Sequence, residues 1–531
     1  MSVSSAIVAH HGIVAGIYDE LEIGQIIDEI IPKQGQHKLA HSEVIKAMII
    51  TSLGFNERRL YIFPKFFSNL ATERLLGPGI SPEDLNDDVL GRTLDRIYEA
   101  NLTDLFLKIA LQVMQKVHFE TNLLHADTTS VSVHGNYEHI DGTPAIQITY
   151  GHTKDNRPDL KQFVLSTITN QHGIPLFVKT YSGNASDKKN LIESIQQLRA
   201  AVQLPENVYF IADSALYAAE NIRQLSNGVQ WITHVPSTIN EVKTLLHTGL
   251  SLNTGKDTRY SFYETISDYG GIPQKWVLVH SKNMQARKEK TFEKSLERMD
   301  MQTTKSFKKL SSLEFACEKD AQAAADHWVK NHPWYQYNHF TIVPVSRKVE
   351  VKRGRPRKTD ELLIVYSVQA EITRNSEVIL AEKEKLGRFI LASNDLSLDP
   401  ETMLDFYKNQ SAVEKGFRFL KDKSFRISEI YLKKPERIEA LSMVMVLTLL
   451  IYSVAEWMIR TRLKERDEFV PNQVNKPTQN PTLKWIFMDF TGVIEVKLNM
   501  PGEPERQLTN LNENARKIIA ILGGKCENYY A

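Results

Sequence analysis

Two aspartates and a glutamate stand where this 531-residue chain could do chemistry. Asp127 follows the apolar run Leu123-Leu124-His125-Ala126, and Asp213 follows Val208-Tyr209-Phe210-Ile211-Ala212. Each run reads as a strand, so each aspartate is expected where a strand emerges from the core. In open α/β sheets ligands collect outside the carboxyl ends of strands, which makes the two candidate neighbours. Either could instead be a helix cap or a turn former. Glu414 falls in a stretch that reads as one helix, ETMLDFYKNQSAVEKGFRFLKD. Tyr407, Glu414 and Lys421 are spaced by seven, about 20° short of two full turns, so they project from one face. Gln410 and Arg418 lie four residues to either side of Glu414, near that face. Phe406, Val413, Phe417 and Leu420 would hold the other face against a core. The plainer alternative is that Glu414 and Arg418 form an ordinary surface ion pair.

Such carboxylates, without thiolate partners, suit a hard cation such as Mg²⁺ or Mn²⁺ rather than zinc. A cluster of this kind can hold two ions about 3.5–4 Å apart and serve phosphoryl transfer. The cations Arg418, Lys421, Lys423 and Arg426 beside Glu414 suit a polyanionic substrate. Paired carboxylates also serve glycosidases, but the basic surroundings of Glu414 argue against a sugar substrate. Cys317 and Cys526 are the only cysteines and form no CxxC, which excludes a disulfide framework and fits a cytoplasmic compartment. His125, His134 and His152 belong to no HxxxH or His/Cys cluster, and read as core or turn residues.

The elements that must position these groups are legible as changes of period. Residues 1–118 read as a helical N-terminal region, with apolar residues at three-to-four spacing and a helix start at Asn86-Asp87-Asp88. Residues 119–237 read as strands, helix, strand, helix, strand: NLLHADTTSVSVHG, AIQITYGH, FVLSTITN and IPLFVKTYSGN, then a helix over 188–202, then VYFIAD, AAENIRQL and WITHVP. That pattern is an α/β sheet with helices packed on it. Residues 238–387 read as a β-rich insert containing a charged helical stretch, and 388–466 as the return to the sheet with two helices. Residues 467–531 read as a linker and tail. Leu441–Ala455 is apolar over about 15 residues, short of the roughly 20 that span a bilayer, so a buried core helix is expected and no membrane partner.

With 42% apolar and 24% charged residues, the composition excludes disordered and collagenous classes. A net charge of +1 argues at first against nucleic acid, but the charge is segregated. Residues 1–105 carry nine basic and fifteen acidic side chains, net −6. Residues 282–309 carry nine and four, net +5, and read either as an exposed charged helix or as a DNA-facing hairpin. Residues 347–358 carry seven and one, net +6, and 407–437 nine and four, net +5. Arg353-Gly354-Arg355-Pro356-Arg357 could lay arginines in a minor groove, or be a solvated loop.

Taken together, HADTTSVSVHG, IADSALY and Tyr407-x2-Gln410-x3-Glu414-x6-Lys421 resemble the DDE transposases of bacterial insertion sequences, in the branch with a Tyr-Arg-Glu-Lys signature around its glutamate. GHTKDNRPDLKQ, GNASDKKN, GRFILASN and PTLKWIF extend the resemblance over most of the chain. It implies a ribonuclease H-like α/β domain interrupted by a β-rich insertion, with Asp127, Asp213 and Glu414 as a triad for two Mg²⁺ or Mn²⁺ ions. It also implies cleavage at element ends followed by strand transfer into target DNA. Tyr407, Gln410, Arg418, Lys421, Arg353 and Arg355 would contact double-stranded DNA, in a homodimer or larger assembly near the bacterial nucleoid. Gln410 departs from the signature arginine and loses its bidentate, charge-assisted contact. A nuclease without strand transfer, or a DNA-binding regulator without chemistry, would share many of these features.

Overall fold

The computed structural model describes residues 2–35, 37–54, 62–138, 142, 144–153, 157–205, 207–226, 228–247, 250–348, 362–410, 416, 419–420, 432–499 and 505–531. The chain divides into two compact units, one of residues 1–233, 268–274 and 393–531, the other of residues 234–267 and 275–392.

The first unit is built on strands β1 (Ser2–Ile7), β2 (Leu123–Val133), β3 (Lys161–Asn170), β4 (Pro175–Ser182), β5 (Tyr209–Ala212) and β6 (Gln230–His234). Strands β2 to β6 neighbour one another in the order β4-β3-β2-β5-β6. β3 runs antiparallel to both β2 and β4, whereas β5 is parallel to β2 and to β6. The sheet is therefore mixed, and its strands β2 and β3 are buried on both faces. On β4, Thr180 donates to Glu439 of helix Pro435–Glu465 (2.6 Å), while the next residue, Tyr181, donates to the Asn190 carbonyl of helix Asp187–Ala201 (3.1 Å). Successive side chains on a strand point to opposite faces, so those two helices lie on opposite sides.

Helix Pro435–Glu465 is long and apolar enough to cross a bilayer, yet 83% of its apolar window is buried within the protein. It packs against helices His41–Leu53, Asp87–Glu99 and Leu102–Val117, and Arg437 forms a paired ion bond with Asp95 (2.7 Å). Helix Asp87–Glu99 begins as its spacing predicts, with Asn86 accepting the Val89 N–H (3.1 Å).

Three expectations need correction. The N-terminal region is not wholly helical: β1 pairs antiparallel with Ile494–Asn499, which in turn pairs with Glu505–Thr509. Residues 467–531 are correspondingly more than a tail, since they also carry helices Leu483–Met488, Glu513–Leu522 and Gly524–Asn528. The last of these packs so closely on helix His11–Glu20 that a Cβ at Gly16 would meet Cys526 at 2.6 Å. AIQITYGH forms only an isolated bridge, Thr149 to Gln162. Its backbone bonds go elsewhere, Gln147 N–H to Ser182 Oγ (2.9 Å) and the Gln147 carbonyl to Gly183 N–H (2.9 Å).

In the second unit Arg388–Ser393, Gln274–Ser281, Tyr260–Ser267 and Asn253–Thr254 are successive neighbours. Beside them stands a long antiparallel hairpin, Tyr335–Lys348 with Leu362–Arg374. Helices Lys282–Ser311 and Glu318–Asn331 pack on it through Phe307, Leu310, Ala321, Ala325, Trp328, Tyr335 and Val368. With Asn240–His247 and Ser376–Lys385 also helical, helix shares this unit with strand more evenly than a β-rich reading expects.

Candidate active site

Asp127 is the fifth residue of β2, and the only one of the eleven that is not buried. The sequence reading placed it at the end of the strand. The strand instead continues to Val133, paired along its length with β3, where Asp127 lies opposite Thr167. Its exposure has a different cause. On the other side β2 is paired with β5 only through Leu123–Tyr209, Leu124–Phe210 and His125–Ile211, and β5 ends at Ala212. Past that point β2 has no β5 neighbour, and Asp127 opens into the gap.

Asp213 is the first residue beyond β5. Counted from the last ladder pair, His125 with Ile211, Asp127 and Asp213 each come two residues further along their chains. Both carboxylates are half-buried and both are held by backbone. The Thr128 N–H donates to Asp127 Oδ1 (2.7 Å), and the Ala215 N–H donates to Asp213 Oδ1 (2.9 Å). The Asp213 carbonyl is anchored in turn by the hydroxyl of the fully buried Thr233 on β6 (2.8 Å) and by the Leu216 N–H (3.2 Å). Leu216 and Tyr217 of the same turn are buried. Tyr217 stacks on Tyr269 at 5.0 Å and donates to Gln274 Oε1 (2.8 Å). The turn that presents Asp213 is thus pinned at several points.

His125 lies two residues before Asp127 on the same face of β2 and is 1% exposed. Burial pushes its imidazole down to about 4, so it is neutral at pH 7 and places no positive charge beside Asp127. His134 and His152 are exposed, and no cluster of three potential metal ligands occurs among the described residues.

Tyr407 lies in the last turn of helix Pro400–Lys408, and Gln410 just beyond it. Asp399 caps the start of this helix by accepting from Glu401 and Thr402 N–H (3.1 and 3.0 Å). Phe406 docks on Tyr209 of β5 at 5.4 Å, and Tyr209 donates to Asp395 (2.5 Å). The helix expected to run through Glu414 to Lys421 stops here at Lys408. The Gln410 N–H turns back to the Tyr407 carbonyl (3.1 Å), a bond that tightens the chain out of the α-helix. Gly416, Phe419 and Leu420 are helical again, with Leu420 buried and Phe419 packed on Tyr452 at 4.8 Å. Glu414, Arg418, Lys421, Arg353 and Arg355 lie outside the described residues.

Two supports escaped the sequence reading. Thr233 is one. The other is Asn394, whose amide accepts the Trp231 N–H (2.9 Å) and donates to the Val229 carbonyl (2.7 Å), tying the chain after GRFILAS to β6. A polar residue directly after a predicted strand was the available signal for Asn394. A lone threonine inside WITHVP carried none.

Chemically, carboxylates such as these two, just past the last pair of a parallel ladder, are the donor type that suits a hard divalent cation. Residues 119–451 match the family model described as a transposase DDE domain, and residues 3–111 match a domain of unknown function, DUF4277. No curated protein matches the chain. Among solved structures it is similar to a pre-cleavage Mos1 transpososome and to the Mos1 transposase paired-end complex with left transposon end, at 12% identity in each case. These likenesses cover 38% of this chain and 61% and 60% of those chains, with TM-scores of 0.15 and 0.14. The chain thus spans less than two thirds of the length of those relatives. The transposase DDE domain model covers more than half of the sequence, and the chain belongs to that family.

Proposed function

We propose that this protein is a DNA transposase that cleaves the ends of an insertion sequence and joins the freed ends to target DNA, a cut-and-paste reaction. The observation that carries the reading is that Asp127 and Asp213 each lie two residues past the last pair of the β2–β5 ladder, inside the family-matched stretch. The mixed strand order β4-β3-β2-β5-β6, antiparallel on one side of β2 and parallel on the other, supports a ribonuclease H-like catalytic domain.

Asp127, Asp213 and Glu414 would hold Mg²⁺ or Mn²⁺, two ions in all, and the donor chemistry fits: the two described members offer carboxylate oxygens and no soft ligand. When bound, such ions activate an attacking oxygen and stabilise a leaving one. The chain's own part is positional. The N–H groups of Thr128 and Ala215 fix one oxygen of each aspartate. Thr233 prevents the Asp213 turn from drifting. Neutral His125 leaves the negative charge of the pair undiminished. Tyr407, Gln410, Arg418, Lys421, Arg353 and Arg355 would contact duplex DNA, in a homodimer or larger assembly on the element ends, in a bacterial cytoplasm.

The test is excision and joining from a plasmid carrying a marker between the sequences that flank this gene. Mg²⁺-dependent cleavage followed by joining, abolished in Asp127→Ala, supports the reading. Cleavage without joining makes the protein a nuclease, and cleavage that survives Asp127→Ala removes the aspartate pair from the chemistry.

A further inference from the structure

Helix Lys282–Ser311 carries its charges sorted by face. Its buried residues Leu296, Thr303, Phe307 and Leu310 define the inner side. At 100° per residue, Glu289, Glu293 and Asp300 fall within about 70° of that side. Two of them are ion-paired there, Asp300 accepting from Arg374 (2.7 Å) and also from Tyr335 (2.9 Å), and Glu293 accepting from Lys383, while Glu289 accepts from Gln285 (2.8 Å). Arg287, Lys290, Lys294, Arg298, Lys305, Lys308 and Lys309 fall within about 60° of the opposite direction. All seven are exposed, and none pairs with a carboxylate among the described residues. Glu297, on the flank, is the acid left toward solvent.

This arrangement opposes the helix's own stability. Lys290–Lys294, Lys294–Arg298 and Lys305–Lys309 are like charges four residues apart, which repel where alternating signs would stabilise. The row from Arg287 to Lys309 is about 33 Å long at 1.5 Å per residue. One turn of duplex DNA measures about 34–36 Å.

We propose that the outward face of helix Lys282–Ser311 is a docking surface for the phosphate backbone of double-stranded DNA, lying along one turn of the duplex without reading its sequence. The identity of the polyanion rests on the function proposed above. The sorting of charge does not. Bound phosphates would relieve the repulsion along the row, and the gain would be sensitive to salt because condensed counterions are released.

The experiment uses the full-length protein and a labelled duplex of about 40 base pairs of arbitrary sequence, titrated from about 50 to 200 mM salt. The variant Arg287→Gln/Lys294→Gln/Arg298→Gln/Lys305→Gln is compared with Lys33→Gln/Lys65→Gln/Lys108→Gln/Lys525→Gln, which removes the same charge elsewhere. At about 0.9 per phosphate contact, the first variant is expected to flatten the slope of log K against log salt by 3 to 4 and to melt no lower than wild type, with the control unchanged in both. Equal flattening in both, or in neither, overturns the proposal. So does a change in self-association in place of a change in DNA binding. A wild type that cleaves DNA while the variant keeps its slope refutes this surface alone, whereas a wild type that binds no duplex at any salt refutes the functional reading as well.

Discussion

Asp127 and Asp213 each lie two residues beyond His125 and Ile211, the last ladder pair between the parallel strands β2 and β5. One strand continues past that pair and the other ends, and the resulting gap exposes a carboxylate in the middle of an otherwise buried strand. Asp127→Asn and Asp213→Asn keep shape and hydrogen bonding but remove the charge. Each is expected to lower DNA cleavage by on the order of 10³ or more, about 4 kcal/mol of barrier. Stability should change by less than about 1 kcal/mol, because both positions are half-exposed. Single-turnover cleavage and urea denaturation of the same preparations check both halves.

Thr233→Val removes the hydroxyl that holds the Asp213 carbonyl while keeping the side chain's shape. Loss of that buried bond should cost about 1–3 kcal/mol of stability. Because the bond positions a proposed ligand, the Mg²⁺ concentration for half-maximal cleavage should rise as well. A purely structural threonine would lower stability and leave that concentration where it was.

Gly183→Ala is expected to be among the most damaging small substitutions. An added Cβ would stand 2.1 Å from the Gln162 carbonyl and 2.6 Å from that of Thr149, so backbone would have to move. A loss of about 3 kcal/mol or more is expected, read as a lower urea midpoint. Gly142→Ala, with nothing within 4 Å of its Cβ but a positive φ of 84°, should lose less, about 1 kcal/mol.

His10 supplies a pH dependence. Burial pushes its ring down to about 4, against the pull of its bond to the Leu53 carbonyl (2.9 Å), and it stacks on Phe487 at 4.3 Å. In the unfolded chain the ring takes its proton near pH 6.5. As pH falls, protons therefore bind the unfolded state first. Stability is full above about 6.5 and declines toward 4. Between pH 7 and 5 the wild type should lose on the order of 2 kcal/mol more than His10→Asn. Parallel urea midpoints at the two pH values would contradict this.

Much of the sheet was legible because several of its strands are largely apolar runs closed by Gly, Asn or Pro, as in FVLSTITN and IPLFVKTYSGN. What escaped was non-local. SVSSAI is a strand only because Ile494–Asn499, nearly the whole chain away, pairs with it. Asp127 looked like a strand end because polar Thr128, Thr129 and Ser130 follow it. All three are buried against β3, where β-branched and small hydroxyl side chains fit a paired strand. The seven-residue spacing from Tyr407 to Lys421 suggested one helix, and a periodicity argument has no means of seeing the turn that closes at Gln410. Of the candidate site, the two aspartates could be read directly, while the threonine and asparagine that hold their surroundings could not.

The most direct test of the central claim is an anomalous difference map from a crystal of the protein soaked in Mn²⁺. The account predicts a peak bridging the carboxylates of Asp127 and Asp213, with Glu414 completing the ligands and the peak lost in Asp213→Asn. Ordered carboxylates at Asp127 and Asp213 without manganese between them, or manganese bound elsewhere in the protein, would contradict it.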